Sequence, residues 1–227
     1  MKIMVAALLL TMSGQALAQA NVCRVPDRLT LPEARKPYDA PTRAVPVRGY
    51  TLALSWSPQF CRSRSDDVQC DPDNGQFGFI IHGLWPEGEG RDAPLWCNAA
   101  PIPRDVARAQ FCVMPSPRLI AHEWAKHGSC ATRDPGQYFA ASRKLFGAIR
   151  FPDMNALSRR QIDVGAFKRL MAALNPAIPV SAMTVQTEGG WLQELRICMT
   201  IKLLPESCPR GRSYGARDTG KLRIWRR

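Results

Sequence analysis

Only three histidines occur in the 227-residue chain, and they fall in two short segments: Ile81-His82-Gly83-Leu84-Trp85-Pro86 and His122-Glu123-Trp124-Ala125-Lys126-His127-Gly128. Imidazole titrates nearest to neutrality, so two histidines brought to one site can give a proton and take one. Ser116 as N-cap, Pro117 at the first helical position and Gly128 just past the end predict a helix over 117–127. At about 100° per residue, His122, Glu123, Lys126 and His127 then share an arc of about 140°. Trp124 and Ala125 point the other way, towards a core. The bland alternative is a solvated stripe with a Glu123–Lys126 pair worth a few tenths of a kcal/mol. A zinc site is disfavoured, because zincin histidines stand four apart on a helix. Here they stand five apart, with the Lys126 ammonium beside them.

These segments need elements to hold them. Residues 51–56 and 77–81 read as strands, the second nearly all apolar and so buried on both faces, with a turn at 71–75 between them. A helix is predicted after Asp134-Pro135, with Tyr138, Leu145, Phe146 and Ile149 on its apolar stripe, and another over about 163–174. Leu195, Ile197, Met199, Ile201 and Leu203 alternate with polar or small residues, the period of a half-buried strand. Residues 180–187 are its predicted neighbour through Glu188-Gly189-Gly190. Strands and helices do not alternate regularly, which favours an α+β fold with a central antiparallel or mixed sheet flanked by several helices over a doubly wound one. The closing segment 221–227 reads as an edge strand with charged ends. Its alternative is a basic contact for nucleic acid.

The first residues, MKIMVAALLLTMSGQALA, have the layout of a secretory leader cleaved after Ala18. Residues 19–48 are rich in proline and arginine and read as an extended arm, leaving one domain over 49–227. No later segment reaches the roughly 20 apolar residues of a membrane helix, so no membrane partner is expected. All eight cysteines follow the leader, an even number that reads as a disulfide framework in an exported, periplasmic or secreted protein. Cys61 with Cys70 and Cys198 with Cys208 close short loops. A net charge of +12 favours a polyanionic partner through phosphate attraction, although a generally basic exported protein would carry the same balance.

In the forms FIIHGLWPEGEG and HEWAKHGSC, the two histidine segments resemble the active-site signatures of the ribonuclease T2 family, in the family's order and with Cys130 closing the second. YTLALSWSPQFC and WLQELRICMTI resemble it more weakly, so that the likeness covers most of 49–208. The resemblance implies an endoribonuclease, a monomer acting on single-stranded RNA without metal or other cofactor. It would form a 2′,3′-cyclic phosphate and then a 3′-phosphate. It also implies His127 as base, His82 as acid, Lys126 and Glu123 stabilising the pentavalent phosphorus, and His122 holding a phosphate oxygen. Trp85 would stack on a base, against the alternative of a core tryptophan. Glu87 and Ser55 stand where relatives often have aspartate and glutamine, so base preference does not carry over. The resemblance further implies the pairs Cys97–Cys130, Cys61–Cys70 and Cys198–Cys208, which leaves Cys23 for Cys112. A catalytically inactive RNA- or polyanion-binding protein or cytotoxin on the same scaffold is the competing reading. It is opposed by the retention of His82, Glu123, Lys126 and His127.

Overall fold

A computed structural model describes residues 22–90, 92–209 and 215–226, so the expected leader and residues 210–214 lie outside the described residues. Four strands build the central sheet: β1 (Gly49–Trp56), β2 (Phe79–Glu87), β3 (Met183–Glu188) and β4 (Trp191–Thr200). Their order is β2-β1-β4-β3, and every pairing is antiparallel. Gly189 and Gly190 both have positive φ, 54° and 81°, as the tight turn between β3 and β4 requires. β2 runs further than the predicted 77–81, carrying His82, Trp85 and Pro86 within the strand. Its edge position tolerates the proline.

One sheet face is apolar, presenting Leu52, Leu54, Ile81, Leu84, Leu195 and Ile197. Against it pack Tyr138, Phe139 and Phe146 of one helix and Phe167 and Met171 of another, with Ile120 and Trp124 from the histidine-bearing segment. The principal helices are α1 (Arg104–Phe111), α2 (Pro117–Glu123), α3 (Pro135–Gly147) and α4 (Val164–Leu174). Asp134 and Asp163 cap α3 and α4 by accepting from Gly136 N and Ala166 N. The opposite sheet face carries polar side chains, among them Ser55, Glu194 and Arg196, and it is there that the chemistry is assembled.

Gly128 does not end a helix, contrary to the sequence expectation. α2 passes into a π-helical turn, Trp124–Gly128, and a last short turn, Ser129–Ala131. Gly128 has ordinary right-handed helical angles; its hydrogen is needed because a Cβ would press to 2.6 Å from the Trp124 ring and 2.8 Å from that of Tyr138. The expected strand at 180–187 starts as a short 3-10 turn, Val180–Ala182, and β4 stops at Thr200, before the Leu203 that the alternation included. Among the described residues at the chain's end, only Lys221–Leu222 are strand, paired with Ile162–Asp163.

Disulfides join Cys23–Cys112, Cys61–Cys70, Cys97–Cys130 and Cys198–Cys208. The first ties the proline-rich segment to the end of α1. Arg108 completes the attachment by donating to Pro26 O at 2.8 Å, and Leu29 is buried against Ala107 and Phe111.

Candidate active site

His82 owes its aim to an irregularity in the sheet. Ala53 pairs with Gly83 and Leu54 with Ile81, so His82 is the extra residue of a β-bulge. Bulges re-aim side chains in this way, and here Ile81 and Leu84 stay in the core while His82 turns to the polar face. On that face Glu194 accepts a hydrogen bond from His82 Nδ1. Glu194 is itself held by Ser55 Oγ at 3.2 Å and by Arg196 through Nε at 2.8 Å and NH2 at 2.7 Å. The other imidazole nitrogen, Nε2, faces Glu123 Oε1 at 3.6 Å.

Glu123 is almost wholly buried, and Trp85 Nε1 donates to its Oε2 at 2.7 Å. Gly83 makes room for this arrangement: a Cβ there would collide with the Glu123 carboxylate and the Trp85 indole. The indole also lies against both other members of the group, its ring centroid 5.1 Å from that of His82 and 5.5 Å from that of His127. Arg196 covers the Trp85 ring at 4.9 Å. Trp85 is therefore half-buried at the centre of the site, fixing a carboxylate and contacting two imidazoles.

The π-turn presents the second set. Its wider winding breaks the α-helical arc inferred from sequence and is a feature that recurs at functional sites. His127 is buried at 8% exposure, and its Nδ1 has no hydrogen-bond partner among the described residues. His122 is more open and meets the edge of Trp96 at 5.4 Å. Trp96 N donates to Lys126 O at 2.8 Å, and the Cys97–Cys130 bridge pins the same loop to the turn. A cleft of about 590 Å³ opens on His82, His122, Glu194 and Arg196. His127 and Lys126 are not among its walls.

The electrostatics separate the histidines. For His82, burial opposes the charged form, but the Glu194 hydrogen bond and the Glu123 and Glu194 charges outweigh it and raise the pKa above 6.5. Burial, then the Lys126, His122 and His82 charges, drive His127 down to about 2. His122 is lowered too, by burial and then by Lys126. Burial raises Glu194, yet the hydrogen bond and charge of His82, with Arg196, bring it to about 2. Glu123 goes to about 7, because burial exceeds the opposing pull of His82, Trp85 and Lys126. Two titratable groups in one site are thus pushed apart, one to hold its proton and one to stay free of it, the signature of an acid–base pair.

Glu194 was not anticipated from the sequence. On an alternating strand it reads as one more solvent-facing polar residue, and only the pairing of Ser55 with Glu194 across β1 and β4 brings it to the His82 bulge. Of the two departures noted at possible base-contacting positions, Ser55 binds Glu194 and Glu87 accepts from Thr51 Oγ1 at 2.7 Å.

An antiparallel sheet carrying a bulged histidine, set against a helical His-Glu-x-x-Lys-His segment and stapled by disulfides, defines an α+β protein with histidines of opposed proton affinity on its polar face. The chain belongs to the ribonuclease T2 family, whose model matches residues 48–208. A probable ribonuclease of Haemophilus influenzae is 36% identical over 133 residues, a stretch covering 52% of this chain and 48% of the relative. The chain thus spans about half the length of that relative. Among solved structures, an RNase-related protein from Calystegia sepium superposes with a TM-score of 0.64 at 19% identity, covering 78% of this chain and 96% of the other. RNase NT in complex with 5′-AMP superposes with a TM-score of 0.59 at 20% identity, over 79% and 98% of the two chains. At these identities the structural likeness establishes the fold.

Proposed function

We propose that the protein is an endoribonuclease that cleaves single-stranded RNA by transesterification. The observation that carries this is the pair of imidazoles around Trp85 with opposed proton affinities: His127 stays neutral and can accept, while His82 stays protonated and can donate. His127 takes the proton of the 2′-hydroxyl, whose oxygen then attacks the adjacent phosphorus. His82 gives its proton to the departing 5′-oxygen, leaving a 2′,3′-cyclic phosphate. In the second step the roles reverse: His82 deprotonates water, whose oxygen bonds to the phosphorus as the P–O2′ bond breaks, and His127 returns a proton to O2′, yielding a 3′-phosphate.

Lys126 supplies positive charge to the pentavalent phosphorus. Glu123, with a pKa of about 7, is largely protonated in mildly acidic solution and donates to a phosphoryl oxygen instead of repelling it. His122, neutral, offers an N–H to a second oxygen. Trp85 holds Glu123 in place, and its remaining surface contacts the bound nucleotide. DNA lacks the nucleophile and is bound without being cut. RNase NT, which shares the fold, forms a complex with 5′-AMP, in keeping with a nucleotide ligand.

Four disulfides fit an oxidising compartment. The proposal extends this to export by the N-terminal leader, with cleavage after Ala18, residues 19–48 as an arm, 49–227 as the catalytic domain, and a monomer in the periplasm or outside the cell. The reading is tested by digesting single-stranded RNA in excess chelator, with wild type beside His127→Ala, and identifying the 3′ ends. Cyclic phosphates that appear first and depend on His127 are expected. RNA that is bound but left intact by the wild type would overturn the reading in favour of an inactive scaffold.

A further inference from the structure

A second groove, of about 480 Å³, lies at the hairpin end of the sheet, walled by residues 158–161, residues 221–226 and Trp191. Arg159, Arg160, Lys221, Arg223 and Arg226 line it, and no acidic side chain does. None of the five is in an ion pair among the described residues. At the groove's edge Trp191 and Trp225 meet edge to face at 5.3 Å. Arg62 lies 4.3 Å over the Trp225 ring, and Arg223 lies 4.7 Å over that of Trp191.

Unpaired cations gathered in one groove repel one another, so their convergence is unfavourable until a polyanion arrives. Guanidinium groups interleaved with indoles are the chemistry that holds single-stranded nucleic acid: arginines meet phosphates, and exposed ring surface stacks on bases of any identity. A folded polyanion without bases would use the arginines and leave the tryptophans idle.

The groove and the catalytic cleft draw on the same face of β4. Gln193 is the extra residue of a second bulge, since Gln186 pairs with Glu194 and Thr187 with Leu192. With Leu192 and Leu195 both in the core, Trp191 and Glu194 fall on the same polar face of β4. They stand three strand steps apart, about 10 Å. The backs of the two sites are joined as well: Trp56 Nε1 donates to Trp225 O at 2.7 Å, and Trp56 directly follows the Ser55 that binds Glu194.

We propose that this basic, tryptophan-edged groove binds single-stranded RNA flanking the scissile linkage, about two or three nucleotides away at roughly 3.4 Å per stacked nucleotide. The inference rests on the ribonuclease reading of the neighbouring cleft. Its consequence is that long chains bind better than dinucleotides, through contacts that do no chemistry.

The test compares wild type with an Arg159→Gln/Arg160→Gln variant, whose altered side chains are exposed. A Lys144→Gln/Lys202→Gln variant loses the same charge from exposed positions outside the groove. Binding is measured to an uncleavable 2′-O-methyl oligonucleotide of about twelve residues over a range of salt, and turnover is measured on a dinucleoside phosphate. Weaker oligonucleotide binding is expected for the groove variant alone, with the log–log salt slope reduced by about 1.4, roughly 0.7 for each lost phosphate contact on a single strand. Dinucleotide turnover should be unchanged. Equal binding and equal slope in the two variants, or a loss that is just as large on the dinucleotide, would overturn the proposal. Because the oligonucleotide is not cleaved, the groove is judged separately from the ribonuclease reading, which fails instead if wild type leaves every RNA substrate intact.

Discussion

Replacing Glu194 by Gln preserves the side-chain shape and removes the charge against which the His82 imidazolium is held. A hydrogen bond to a charged group contributes about 1.5–3 kcal/mol. At 1.36 kcal/mol per unit, its loss lowers the His82 pKa by about one to two units. A second consequence works in the same direction: Arg196, bound to Glu194 through two nitrogens, loses its counter-charge and acts on His82 unopposed. The His82 pKa therefore falls, and near neutrality a smaller fraction of His82 holds its proton. The expected result is a fall in kcat/KM that reaches about ten- to hundredfold where the pH lies above both the wild-type and variant His82 pKa values, recovering towards acid as His82 regains its proton. The assay is the pH profile of kcat/KM on a dinucleoside phosphate, beside an NMR titration in which only three histidines contribute signals. A descending alkaline limb that stays where wild type has it, or a loss equal at every pH, would mean that Glu194 does not set the proton affinity of His82.

For the wild type, kcat/KM should fall as pH rises through the raised His82 pKa, while the acid limb, set by His127 at about 2, lies far below neutrality; a steep loss between pH 6.5 and mildly acidic conditions would contradict this. Lys126→Gln removes a charge that lowers His127, so the His127 pKa should rise and the acid limb move up, alongside a lower rate. NMR titration checks the first effect and kinetics the second. Gly83→Ala sets a methyl against Glu123 and Trp85, with an expected cost of about 1–3 kcal/mol in denaturant unfolding and a fall in kcat greater than any change in KM; unfolding like wild type would mean that the packing there gives way. Breaking the Cys23–Cys112 bridge with paired serines should cost about 2–5 kcal/mol and make residues 24–48 the first target of limited proteolysis, whereas an unchanged cleavage pattern would show that Arg108 and Leu29 suffice to hold the segment.

Much of this site was legible in the sequence because its chemistry is concentrated. Three histidines in two motifs leave few ways to build an acid–base pair, and Ser116-Pro117 marks the helix start that the structure has. The hairpin through Gly189-Gly190 was equally plain, since two consecutive glycines match a turn that needs positive φ twice. What stayed hidden depends on irregularity and on pairing. The bulge at His82 and the π-turn at Trp124–Gly128 are single-residue departures from regular geometry, and a periodic reading averages them away. α1 was missed because Arg104–Phe111 starts after a proline with no side-chain cap and buries only Ala107, Gln110 and Phe111, a weak apolar stripe. Glu194 and the groove at Trp191 and Trp225 join residues far apart in the chain, so no local pattern announces them.

In the proposed mechanism a 2′-hydroxyl, activated by His127, is the nucleophile. The most direct test is a DNA strand carrying one ribonucleotide, incubated with the protein in chelator, with the products identified by mass. Scission is expected only at the linkage following that ribose, with a 2′,3′-cyclic phosphate formed before the 3′-phosphate. Cuts at deoxyribose linkages, or a 5′-phosphate left by direct attack of water, would contradict it.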